Sequence, residues 1–201
     1  MKRLVLWSLG MFVMAGIAGP AFTQTFGITA SGLYAFEFSG DLKPGELKPE
    51  DAFGGGLALV CAVTPYLKVD LGVDYLNPDI KDTESDDIEL LPVTVAVRAG
   101  PTFEPVFLYA GLGIGYSYNK YSGGSTGYFT TLKDSMIYFA CLGAEISLTE
   151  YLILRPEFRY NMLSPELVYE TFIPNQGFVT VDKEDWELDH LQFRLGLGVY
   201  F

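Results

Sequence analysis

Three segments of this 201-residue chain alternate apolar and polar residues with a period of two. Leu67, Val69, Leu71, Val73 and Tyr75 are separated by Lys68, Asp70, Gly72 and Asp74. Leu152, Leu154, Pro156, Phe158 and Tyr160 are interleaved with Ile153, Arg155, Glu157, Arg159 and Asn161. Leu191, Phe193, Leu195, Leu197, Val199 and Phe201 are interleaved with Gln192, Arg194, Gly196, Gly198 and Tyr200. Successive side chains of a strand point to opposite faces, so each segment has one greasy and one polar face. A helix would scatter the same residues around its axis. Beyond residue 21 the longest apolar run is the 11 residues from Phe53 to Val63, against the roughly 20 a spanning helix needs. Any membrane crossing by this part of the chain is made by strands.

Five weaker segments complete a set of eight: Phe26–Phe38, Leu57–Val63, Leu91–Val97, Leu108–Tyr116 and Met136–Ile146. The connections alternate in length. Residues 64–66, 100–105 and 148–150 make short turns, whereas 39–52, 77–89, 119–134 and 163–189 are long and polar. Short turns at one end and long loops at the other predict an all-β fold, an eight-stranded antiparallel up-and-down transmembrane β-barrel. An even strand number puts both termini at the periplasmic end. Phe36, Phe38, Tyr75, Tyr116, Tyr138, Phe158, Tyr160 and Phe193 then fall near the outer rim, and Phe26 and Phe201 near the inner one. Aromatic rings at both interfaces suit a membrane barrel.

The N-terminus reads as an address. Lys2 and Arg3 precede an apolar stretch from Leu4 to about Ala18, and Gly19-Pro20-Ala21 offers small residues to a signal peptidase. Residues 1–21 are expected to be a secretory signal peptide and 22–201 the barrel domain. With 25 acidic against 13 basic residues the chain carries −12, a charge that repels nucleic acid. One His and two Cys exclude a histidine-rich metal site and a disulfide scaffold; no cofactor is implied.

The polar faces define the candidate site. They carry the acids Glu37, Asp70, Asp74, Glu145 and Glu157 and the bases Lys68, Arg98, Arg155, Arg159 and Arg194. Such a balanced set can pair inside a narrow lumen, where a lone charge would be costly. Arg155, Glu157 and Arg159 are expected to form an ion-paired core, with Glu145 the nearest acid of the adjoining strand. The same alternation fits a soluble barrel with its apolar face inside; the signal peptide, the aromatic rims and the C-terminal strand favour the membrane. Cys61 falls on the lipid face and Cys141 in the lumen, so no disulfide is expected between them.

The chain resembles the small eight-stranded outer-membrane barrels of the OmpA/OmpX/OmpW type over about residues 25–201. The resemblance is strongest in the C-terminal strand, which ends on Phe201 after Phe193, Leu195, Leu197 and Val199 at every second place. That pattern is similar to the signal read by the barrel assembly machinery. Leu108–Tyr116 resembles the glycine-rich fifth strand of such barrels, and Leu154–Tyr160 their seventh. The resemblance implies a Gram-negative-type outer membrane, export by the secretory pathway, and partners limited to outer-membrane lipid, lipopolysaccharide and the assembly machinery, with the protein a monomer.

No enzyme is expected. Lipid A deacylases resemble this fold and use a His with a Ser two places on, whereas His190 is followed by Leu191 and Gln192. Gly111, Gly113, Gly115, Gly143, Gly196 and Gly198 face inward and make room for large side chains, so the lumen is expected to be plugged. The acids of residues 77–89 lack the spacing of a calcium loop and read as a solvated surface. Residues 163–189, with Tyr169, Phe172, Ile173, Phe178 and Trp186 among acids, form the expected contact surface. Two functions follow: a structural or surface-interaction barrel presenting four long acidic loops, or a narrow channel for small hydrophobic solutes of the OmpW type.

Overall fold

The computed structural model describes residues 26–39, 49–78, 87–122, 129–173 and 177–201. The expected signal peptide, and with it Lys2 and Arg3, lies outside the described residues. Among them every regular element is a strand. Eight form the wall: β1 (Phe26–Ser39), β2 (Ala52–Thr64), β3 (Leu67–Leu76), β4 (Asp87–Ala99), β6 (Val106–Ser122), β8 (Ser135–Ser147), β9 (Leu152–Leu163) and β12 (Asp189–Tyr200). The two-residue β5 (Thr102–Phe103) belongs to the tight connection ahead of β6.

Each wall strand pairs antiparallel with two neighbours in the ring β1-β2-β3-β4-β6-β8-β9-β12, and β12 returns to β1. Closure leaves no strand edge of the wall free, as lipid requires. The alternation of the sequence becomes the two faces of that wall. Leu57, Leu59, Leu112, Leu142, Phe158, Leu195, Leu197 and Val199 are exposed on the outside, while their sequence neighbours are turned inward.

Two parts of the architecture differ from the sequence reading. Residues 119–134 and 163–189 are not simple loops. β6 runs on to Ser122, and β7 (Phe129–Leu132), β10 (Glu166–Ile173) and β11 (Gly177–Asp185) form a second sheet in the order β11-β10-β7. This sheet packs on the long-loop end of the barrel through Leu132 and Leu167. Leu167 and Val168 are consecutive and both buried, so the segment carries no period of two.

The second difference is at the end of β1. The β1–β12 register slips by one residue between Phe36 and Ser39, and Glu37 has a φ of 54°. The extra residue is a β-bulge, which exchanges the faces that follow it. Glu37 is therefore exposed rather than in the lumen. Phe38 leaves the outer rim and stacks on His190, ring centroids 4.7 Å apart.

Candidate functional site: the barrel lumen

The lumen is layered, and strand register sets the layers. Near the short turns lie Lys68, Arg98, Phe107, Tyr109, Glu145 and Tyr200. Two residues further along each strand come Asp70 and Arg155, then Glu157, Arg159, Asp74 and Arg194. Beyond them are the uncharged polar residues Thr94, Ser117, Asn161, His190 and Gln192, all buried. The long-loop end is apolar: Leu33, Ala35, Ala52, Leu76, Ile88, Leu90, Ile137 and Leu163 of the wall enclose Leu132, Leu167, Trp186 and Leu188.

Nine of the ten charged residues singled out in the sequence meet in the lumen; Glu37 is the exception. Five cations face four carboxylates. Glu145 accepts from Arg98 Nη1 at 2.5 Å and also pairs with Lys68. Asp70 accepts from Arg98 Nη2 at 2.7 Å and lies 2.9 Å from Arg155 Nη1. Arg159 Nε donates to Glu157 at 2.7 Å, and Arg194 Nη1 to Asp74 at 2.6 Å. Arg159 Nη1 reaches Asp74 at 3.5 Å. The carboxylates thus bridge basic groups from different strands, and every charge of the belt except Lys68 meets more than one opposite charge. A buried network of this kind is costly to break at any one member.

Glu145 is not the partner of Arg155 or Arg159, contrary to the expectation from strand adjacency. In so narrow a lumen a long side chain reaches the opposite wall as readily as the next strand. Lys68 and Arg98 of β3 and β4 claim Glu145, and Arg155 turns to Asp70.

Aromatic rings complete the belt, and the charge pattern alone did not include them. Tyr109 Oη donates to Glu157 Oε2 at 2.8 Å, and Tyr200 Oη to Glu145 Oε2 at 3.1 Å. Arg98 stacks over the Tyr109 ring at 4.6 Å and Arg159 over Phe139 at 4.1 Å, contacts that gain strength when desolvated. The signal in the sequence was their position: Tyr109 shares a face with Gly111, Gly113 and Gly115, and Tyr200 with Arg194. Glycines leave the space. A Cβ on Gly113 would stand 2.1 Å from the Phe139 ring.

Below the belt a cavity of about 240 Å³ opens at the short-turn end, lined by Lys68, Phe107, Glu145 and Tyr200 among others. Above it a cavity of only about 10 Å³ lies between Asp74, Pro92, Thr94, Arg159 and Gln192. Arg98 and Arg155 are 0% and 1% exposed. The belt closes the axis.

A family model described as the outer membrane protein beta-barrel domain matches residues 9–201. The chain belongs to the outer membrane protein β-barrel family. No curated protein matches the sequence. Among solved structures it is similar to the outer membrane protein OprG from Pseudomonas aeruginosa, at 19% identity and a TM-score of 0.72 over 89% of this chain and 96% of that one. It is also similar to outer membrane protein W of E. coli, at 17% identity and a TM-score of 0.59 over 90% and 100%. A third similar structure is the outer membrane protein AlkL in lipid bilayers, at 17% identity and a TM-score of 0.58 over 92% and 93%. These likenesses concern the fold.

This member of the outer membrane protein β-barrel family has two interruptions in its wall, each two residue pairs long and each at a proline. The β3–β4 ladder passes from Val73↔Val93 to Leu76↔Leu90 without pairing Asp74 to Pro92 or Tyr75 to Leu91. Pro92 keeps its place in the β4–β6 ladder opposite Ser117, so its missing N–H faces β3. The β8–β9 ladder is likewise open between Gly143↔Glu157 and Ile146↔Leu154, at Pro156. The Pro92 break lies at the height where the apolar layer meets the belt. The Pro156 break lies below it, near the short turns.

Phe193, Leu195, Leu197, Val199 and Phe201 lie on the outer face of the last strand, with Leu195, Leu197, Val199 and Phe201 exposed. Cys61 of β2 and Cys141 of β8 are free, four strands apart around the ring. Among the described residues no cluster of His, Cys, Asp and Glu has the geometry of a metal site.

Proposed function

We propose that the protein is an integral outer-membrane barrel that receives small apolar solutes in its long-loop compartment and releases them sideways into the membrane through the β3–β4 seam. One observation carries this reading: the apolar layer ends on a closed belt of charge, and the wall is unpaired at that height, between Asp74–Tyr75 and Leu91–Pro92. An apolar solute cannot pass the belt without desolvating ion pairs. The unpaired seam offers a lateral route at the upper edge of the belt, where Asp74 stays held by Arg194. Ions gain no such route. The protein is accordingly expected to act as a monomer among outer-membrane lipid and lipopolysaccharide, inserted by the assembly machinery that reads Phe193–Phe201.

The reading is tested with proteoliposomes loaded through the aqueous phase with the fluorescent apolar probe N-phenylnaphthylamine. The protein accelerates transfer of the probe into the bilayer and adds no steady ionic conductance. Pro92→Val, which restores a donor to the seam, slows transfer. Transfer no faster than in protein-free vesicles contradicts the reading.

A surface-interaction role is favoured by a different observation. The β7–β10–β11 sheet presents Thr180, Asp182, Lys183 and Asp185 to solvent beyond the barrel. Removal of this sheet that abolishes cell-surface attachment and leaves probe transfer intact would support that role.

A further inference from the structure

We infer that the cavity at the short-turn end binds a small monocarboxylate, whose head pairs with Lys68 and supplies the one negative charge the belt lacks. The site stands apart from lateral release, because the belt separates it from the apolar layer.

The charge count points to this place. Among the described residues the belt holds five cations and four carboxylates. The upper tier is balanced, with Arg159 and Arg194 against Asp74 and Glu157. The excess falls on the lower tier, where Lys68, Arg98 and Arg155 share Asp70 and Glu145. A net charge in so enclosed a space is costly until an opposite charge joins it. Arg98 and Arg155 are out of reach, with side chains 0% and 1% exposed. Lys68 is 13% exposed, meets a single carboxylate and lines the cavity of about 240 Å³. Residues 22–25, just ahead of β1, contain no acid to fill the gap.

The cavity specifies the ligand. An ammonium group has three donors. Lys68 gives one to Glu145 and one to Tyr200 Oη at 3.1 Å, which leaves the third for a ligand. The Phe107 and Tyr200 rings, each with its centroid 4.7 Å from Nζ, fix the ammonium from two sides. Ala62, Val106, Phe107 and Ile153 provide apolar wall for a short tail; an apolar cavity of about 150 Å³ already accepts benzene. Glu104 and Glu150 are exposed and line the same cavity. They repel a second negative charge, so a monoanion is favoured over phosphate or a dicarboxylate. An ammonium head meets Lys68 and gains no pairing there.

The test uses the full barrel in phosphatidylcholine nanodiscs at neutral pH, titrated separately with butyrate, 1-butanol, butylammonium and succinate and corrected for empty discs. Butyrate should bind about tenfold to a hundredfold more tightly than butanol, the range expected of one hydrogen bond to a charged group. It should also bind more tightly than butylammonium or succinate. Lys68→Met leaves the cations and carboxylates of the belt equal in number, so the variant should remain folded and lose the preference for butyrate. In Glu104→Gln/Glu150→Gln, where only exposed side chains change, succinate should gain on butyrate. Absence of butyrate binding, equal affinity for butyrate and butanol, tighter binding of butylammonium, or a butyrate preference surviving in Lys68→Met overturns the site. An unchanged ratio of succinate to butyrate in the rim variant overturns its selection for a single charge. None of these outcomes alters transfer of N-phenylnaphthylamine through the seam, so the two readings fail separately.

Discussion

Gly143 lies beneath Tyr109: a Cβ on Gly143 would stand 2.5 Å from the phenolic oxygen and 2.8 Å from the Pro156 carbonyl. The missing side chain lets Tyr109 of β6 reach over β8 to Glu157 of β9, a hydrogen bond between residues that do not share a ladder. Gly143→Ala should displace the ring, remove a donor from Glu157 and disturb the stacking of Arg98. The expected loss is about 1–3 kcal/mol, as for other overpacked cores. Urea unfolding of the lipid-embedded barrel measures it, and an unchanged midpoint would mean that the tyrosine bond is dispensable.

Glu157 is the most heavily loaded carboxylate. It lies 2.7 Å from Arg159 Nε, 3.6 Å from Arg194 Nε and 3.7 Å from Arg155 Nη2. Glu157→Gln leaves the shape and removes the charge that all three guanidinium groups share. Breaking one member of a buried network costs about 3–5 kcal/mol, so the variant should unfold at clearly lower urea than the wild type. Retention of wild-type stability would indicate a hydrated lumen in which these charges are screened.

Glu37 should behave in the opposite way. It is exposed, and its φ of 54° is a conformation that costs an L-residue about 1–2 kcal/mol and glycine almost nothing. Glu37→Gly is expected to hold or raise stability by up to about 1 kcal/mol. Loss of stability comparable to that of Glu157→Gln would return Glu37 to the charge network.

The contrast between Glu37 and Glu157 also marks what the sequence makes legible. Period-two alternation carries the wall: it assigns each side chain to a face wherever register is unbroken, and hence it locates Arg155, Glu157 and Arg159 together. A bulge is one residue long and leaves the alternation on either side intact, so Glu37 and Phe38 read as though the strand continued. The second sheet is silent for another reason. Leu167 and Val168 are buried side by side, and a segment covered on both faces has no period to detect. Pairing partners across the lumen were also out of reach. Adjacency along the chain suggested Glu145 for Arg155, whereas the width of the barrel decides which arms meet. Pro92 and Pro156 were visible as residues, but the missing N–H of a proline opens a ladder only on the side it faces, and that side depends on register.

Lateral release, as proposed, takes solutes out through the β3–β4 seam. Tyr75 and Leu91 are exposed on the outer wall and lie opposite each other within the break. Cysteines placed at both positions, in a chain whose Cys61 and Cys141 are replaced by alanine, can staple the seam when oxidised. Transfer of N-phenylnaphthylamine into the bilayer is then measured before oxidation, after oxidation and after reduction. Lateral release predicts that transfer falls to the protein-free rate on oxidation and recovers on reduction. Transfer that continues unchanged through a verified disulfide would contradict it.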